Sequence, residues 1–270
     1  ISLSADSVPT VVTEYDDPNG ERAAGLVDED GLDADGNNDA GETTTGTLSV
    51  TPGDDTPATL TIAGTPIPGD GTSTTISGSK GDLTISYNSG TGTATWSYVL
   101  DTTVDHTDGN GENIAQGVES FAVQVEDNDG SVASTTLTID VQDDTPVAAA
   151  DSTELGSEAT SVDITPAFAF GADGPAATDS VTFTDGAYGT VGFDSGTGTF
   201  TYTVSDEAVR DQGDSFTYTV EDSDGDTVTR TISLSADSVP TVVTEYDDPN
   251  GERAAGLVDE DGLDADGNND

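Results

Sequence analysis

The chain has 270 residues and sets 54 acidic side chains against 5 basic ones, a formal charge of −49. So few cations cannot displace the counterions of a phosphate backbone, which excludes nucleic acid as a partner and argues against direct membrane insertion or anionic membrane binding. A charge this high repels itself on folding and calls for bound cations or a saline medium. Without a cysteine there is neither a disulfide framework nor a thiolate metal site, so an extracellular fold would need another staple. No apolar run approaches the roughly 18 residues of a spanning helix, and no signal peptide heads the chain, which reads as an interior piece of a longer protein.

Residues 1–39 and 232–270 are identical, letter for letter, 231 positions apart. Drift would not leave such identity, so the parent is expected to consist of near-identical tandem units, with neighbouring repeats of the same chain as partners. On that map residues 1–7 are the last strand of a preceding unit (Ile1 to Ala5 forming it). Residues 8–143 are a longer domain, 144–237 a smaller one, and 238–270 the truncated start of the next repeat, ordered only by docking on a neighbour. An acid with a proline three residues on marks each boundary (Asp6 and Pro9, Asp143 and Pro146, Asp237 and Pro240), where no ladder donor is needed.

Early in the first domain comes "VDEDGLDADGNND" at 27–39, followed by Glu42. Asp33, Asp35, Gly36 and Glu42 fit positions 3, 5, 6 and 12 of an EF-hand loop, with Asp28, Asp30, Asn37 and Asp39 close by. Position 1 falls on Gly31, which offers no ligand. Two readings stay open: a calcium loop inside a β domain, or a hydrated acidic loop at its end. The copy at 258–270 stops before the equivalent glutamate and should bind more weakly.

Strands follow, read from alternation. Leu83, Ile85 and Tyr87 share a face, as do Trp96, Tyr98 and Leu100, then Phe121, Val123 and Val125, then Leu137, Ile139 and Val141. Trp96 is expected in the core. His106, in "DHTDGNGEN" and without a second histidine, reads as a surface loop residue. The run 119–141 parallels 214–236 without a gap, and "DNDG" (127–130) and "DSDGD" (222–226) read as turns in their own right. In the second domain the inward sets are Val191 and Phe193; Phe200, Tyr202 and Val204; Phe216, Tyr218 and Val220; Ile232 and Leu234. Threonine and serine fill the opposite faces, and no segment has a helical period. The fold class is all-β, with tandem immunoglobulin-like β-sandwich domains.

The order "NSGTGTATWSY", an acid-Ser-Phe strand, D-x-D-G, then D-x-x-P resembles VCBS and cadherin-like repeats of giant bacterial RTX adhesins. The first domain, with "VDEDGL" near its start, resembles the longer type I secretion repeat. The resemblance implies extender modules of a type I secreted, extracellular cell-surface protein, a monomeric extended rod whose joints calcium stiffens. The glycine-rich nonapeptides that name RTX proteins are absent from this sequence.

Oxygen ligands abound while nitrogen and sulfur are nearly missing, which favours calcium over zinc or magnesium. The joints are the second place for it. Asp143 and Asp144 lie at one and Asp237 at the next, and Glu119, Asp127, Asp206, Asp214 and Asp222 at sandwich ends could close on the same ion. With one histidine, one lysine and no cysteine, no nucleophile and base pair can be assembled beyond chance carboxylates, so no enzyme is expected. A calcium-rigidified spacer is the leading function. The alternative is a carbohydrate- or cell-binding sandwich, which would cluster exposed aromatics at one end; a halophile spacer needing only general salt is a third.

Overall fold

The computed structural model describes residues 7–15, 25–32, 40–106, 111–156 and 158–236. Alternating apolar and hydroxyl residues make strands that are dry on one face only, and pairs of such sheets must stack. The first stack comprises β1 (Thr10–Tyr15), β2 (Gly25–Asp28), β3 (Thr43–Thr51), β4 (Thr59–Ile62), β5 (Thr65–Ile67), β6 (Asp70–Ser77), β7 (Gly81–Asn88), β8 (Thr93–Leu100), β9 (Ile114–Glu126) and β10 (Val132–Gln142). They form two five-stranded sheets, ordered β1-β3-β8-β7-β6 and β2-β10-β9-β4-β5. Leu83, Ile85, Trp96, Tyr98, Val123, Leu137, Ile139 and Val141 fill the space between them, all in one core.

The second stack comprises β11 (Val147–Ala148), β12 (Asp151–Glu154), β13 (Ser161–Ile164), β14 (Phe168–Ala169), β15 (Val181–Phe183), β16 (Gly189–Asp194), β17 (Thr199–Val204), β18 (Asp214–Glu221) and β19 (Thr227–Ser235). Its sheets are β12-β19-β18-β15 and β13-β17-β16, with β11 paired to β14. Phe200, Tyr202, Phe216, Tyr218, Ile232 and Leu234 form a separate, smaller core. Both stacks are immunoglobulin-like sandwiches in tandem. In each, an early strand lies parallel to the last one: β2 on β10 from Gly25 opposite Ile139, and β12 on β19 from Asp151 opposite Ile232.

The expected inward sets are buried in the first sandwich, Trp96 included. In the second, Val191 and Phe193 are only half-buried, because a three-stranded sheet leaves its edge strand β16 partly uncovered, and Val204, the last residue of β17, is half-buried too. Phe168, Phe170, Phe183 and Phe193 make edge-to-face and tilted contacts along that open side rather than at an end. Short helical turns interrupt the strands at Glu29–Leu32, Ala40–Glu42 and α1 (Val209–Gln212). The last closes the far end of the second core with buried Val209. Arg210 beside it donates to the carbonyls of Gly156 and Ala159.

Candidate metal centre

The two sandwiches meet where β10 runs into the second domain, and acids from both sides converge there. Parity places Glu29: it continues the inward series Gly25, Val27 beyond the end of β2 and is fully buried. Its Oε1 accepts the Val104 N–H at 2.5 Å, while its Oε2 has no partner. The segment after β8 is held over this end by Lys80, whose carbonyl accepts the N–H groups of Asp101 and Thr102. That segment brings in His106, whose Nδ1 lies 3.0 Å from the Val104 carbonyl and whose Nε2 lies 3.2 Å from that of Val141. The expectation of a surface loop histidine is therefore wrong: His106 is 5% exposed and packed at the joint. A polar loop sequence gave no sign that the second sandwich would cover it.

Asp143 follows β10, its N–H bound to the Asn113 carbonyl at 2.8 Å and both carboxylate oxygens buried without a partner. A bulge steers it here. The ladder shifts register between Ile139 and Val141, with the N–H of Gly117 (φ +65°) donating to Asp140 Oδ1 at 2.7 Å, and such bulges bend a strand end.

From the second sandwich comes the turn between β18 and β19. Asp222 Oδ1 accepts the N–H groups of Gly225 (3.0 Å) and Asp226 (2.7 Å), and its Oδ2 is buried and partnerless. Asp224 Oδ2 accepts the His106 N–H at 3.3 Å and Asp226 Oδ2 the Gly111 N–H at 2.9 Å, so the turn is hydrogen-bonded across the joint. The Ser223 hydroxyl donates to the carbonyl of Asp173, a further acid with a buried partnerless oxygen. Two groups of donor atoms each lie within 4.8 Å of one another: Glu29, His106 and Asp143, and Asp143, Asp173 and Asp224.

Charges without partners are costly in such a place. Burial pushes the Glu29 carboxyl up to about 8 and that of Asp143 up to about 7, the latter opposed by His106. Burial and the hydrogen bond with Asp224 raise Asp222 to about 8, and burial raises Asp173 as well. Either protons or a cation must neutralise the cluster. Six to eight oxygens from carboxylates and carbonyls are what calcium takes, and the oxygen-only group suits it.

The acids predicted from sequence separate into three kinds. Asp143 lies in the cluster, Asp222 orders the turn that carries Asp224 into it, and Asp144 sits beside it with Oδ2 accepting the Ala172 N–H at 2.7 Å. Glu119 and Asp214, equivalent in the two sandwiches, instead hold turns. Glu119 Oε1 accepts from the Ser79 hydroxyl and the Lys80 N–H. Asp214 accepts from Ala187, Tyr188 and the Tyr202 hydroxyl. Asp206 is exposed and accepts the Ala208 N–H ahead of α1, and Asp28 accepts that of Asp30. Glu42 is half-buried, and Asp127 lies at the opposite end of the first sandwich. Asp33, Asp35, Asn37, Asp39 and Asp237 lie outside the described residues, as does the segment 238–270. Glu29, His106, Asp173, Asp224 and Asp226 were missed. An acid at an inward parity position was the available signal for Glu29; Asp173, in "FGADGP", had none.

Two stacked sheets with an early strand parallel to the last make a familiar architecture. Residues 143–235 match the family model of the bacterial Ig domain. No curated protein matches the sequence. Among solved structures, the chain is similar to an I-band fragment of titin at 12% identity and a TM-score of 0.29, over 86% of this chain and 66% of that one. It is also similar to the extracellular cadherin domains of protocadherin gamma B2, at 10% identity and a TM-score of 0.31, over 87% of this chain and 41% of that one. The N-terminal immunoglobulin module of the Drosophila receptor tyrosine phosphatase DLAR gives 11% identity and a TM-score of 0.24, over 85% and 98%.

Proposed function

We propose that the chain is a structural spacer in a secreted, cell-surface adhesin built of tandem repeats, and that calcium stiffens its joint. The observation that carries this is the convergence of carboxylate oxygens without hydrogen-bond partners from both sandwiches, Asp143 from the first and Asp173 and Asp224 from the second. An ion held by both removes the freedom of the hinge between them, and its binding energy becomes energy of docking. The identical 39-residue segments support a function of length, since a tip is not needed many times over.

Small-angle scattering and thermal melting with calcium, with EDTA and with sodium chloride of matched ionic strength test the reading. Calcium alone should lengthen and narrow the distance distribution and raise the melting temperature. Equal responses to sodium would leave only a general salt effect and end the case for a specific site. Binding of a glycan array by the chain, with no calcium response, would favour the recognition module instead.

A further inference from the structure

His106 is the chain's one histidine, and both of its ring nitrogens lie within hydrogen-bond distance of main-chain carbonyls. Nε2 lies 3.2 Å from the Val141 carbonyl and Nδ1 lies 3.0 Å from that of Val104. Whichever nitrogen lacks the proton therefore turns its lone pair toward an oxygen. Around Nδ1 the crowding is greater, with Asp143 Oδ1 at 3.4 Å and Glu29 Oε2 at 3.9 Å. Both carboxylate oxygens are buried and have no hydrogen-bond partner. Three atoms rich in electron density share one dry space, which a cation between them would resolve.

We propose that Glu29, His106 and Asp143 form a second metal site beside the oxygen-only cluster, and that it takes a borderline dication such as zinc rather than calcium. This rests on the joint being a metal centre but not on calcium being its ion. Imidazole nitrogen is a poor ligand for calcium and a good one for zinc. Nε2 lies against a main-chain carbonyl (Val141), as the outer nitrogen of a metal-bound histidine does, while Nδ1 faces the Val104 carbonyl and the two carboxylates, where an ion would sit. Ligands at about 2.0–2.2 Å from a tetrahedral ion stand roughly 3.3–3.6 Å apart, so the observed spacing needs little closure. The Val104 carbonyl is the nearest fourth ligand. All of these groups come from the first sandwich and the start of the linker, and an ion there would fix the Asp143 carboxylate that the oxygen-only cluster shares.

The test uses the whole chain, stripped with EDTA and then held in excess calcium to occupy surface carboxylates. Cobalt(II), added as a coloured stand-in and then displaced by zinc, should bind at one equivalent with visible bands of low-symmetry coordination. His106→Gln should weaken zinc by at least about tenfold and leave the calcium-dependent rise in melting temperature intact, the scale set by losing one oriented ligand. Asp224→Asn should do the reverse. Should His106→Gln not fold, the ring nitrogens of the single histidine report in wild type: zinc, not calcium, must shift the Nδ1 resonance. Zinc binding no tighter than that of calcium, equal cobalt spectra in wild type and His106→Gln, or an Nδ1 unmoved by zinc would each overturn the proposal. A zinc response without any calcium response would uphold this site and remove the calcium reading.

Discussion

Carboxylates in this protein face opposite demands. Asp214 is half-buried, which pulls its carboxyl up, but hydrogen bonds from the Tyr202 hydroxyl and the N–H groups of Tyr188, Ala187 and Ser215 outweigh that and hold it below the usual range. Asp214→Ala would orphan those donors, and a loss of about 3 kcal/mol is expected for the second sandwich, measured by urea unfolding. Glu29 and Asp143 have the reverse balance, with folded values near 8 and 7 against ordinary ones near 4. Between about pH 5 and 8 the folded, metal-free protein thus holds more protons than the unfolded chain, so its stability falls as pH rises through that window. Asp214 acts at the other end, its contribution lost as pH drops below the ordinary carboxylate range. Melting in EDTA should therefore peak at mildly acidic pH, and calcium should move the optimum upward while releasing protons, as calorimetry in two buffers would read.

At the scale of elements, one row of residues across β1, β3 and β8 ties the first core together. Tyr15, Gly46 and Trp96 are register partners, the Tyr15 and Trp96 rings meet edge to face at 5.7 Å, and Tyr15 reaches the other sheet by accepting the Thr138 N–H. A Cβ on Gly46 would come within 2.3 Å of both the Trp96 ring and the Glu14 carbonyl. Gly46→Ala should cost about 2–3 kcal/mol and shift the emission of the single tryptophan, since overpacking forces strands apart. Such rows were legible from alternation, because a two-residue period commits each side chain to a face. The acidic cluster at the joint was legible only where an acid sat at a chain junction. Glu29 and His106 escaped because their burial depends on the second sandwich, and no local pattern encodes a neighbour. Glu119 and Asp214 misled for the opposite reason: an acid opening a strand serves the turn beside it. The Asp127 turn matches the Asp222 turn, with Oδ1 bound to Ser131 N–H at 2.8 Å and a buried, partnerless Oδ2, but it faces away from the joint.

For the molecule as a whole, the proposed spacer role puts the weight on the junction between the two cores. Asp144 pins the Ala172 N–H, and Arg230 donates to the Ala148 carbonyl, so the linker is fastened at two points. Asp144→Ala should broaden the scattering distance distribution in calcium while both sandwiches melt as before; a cooperative loss of either core would contradict it. The parallel pairing of β2 with β10 and β12 with β19 matters once the ends are pulled. In each sandwich an early strand is hydrogen-bonded alongside the leaving one, β2 next after β1 in the first and β12 next after β11 in the second. Tension along the array then loads those ladders in shear, so several bonds must break together instead of one after another as in an opening zipper. A tether of such units would yield by abrupt rupture of whole sandwiches, leaving the rest of the line taut.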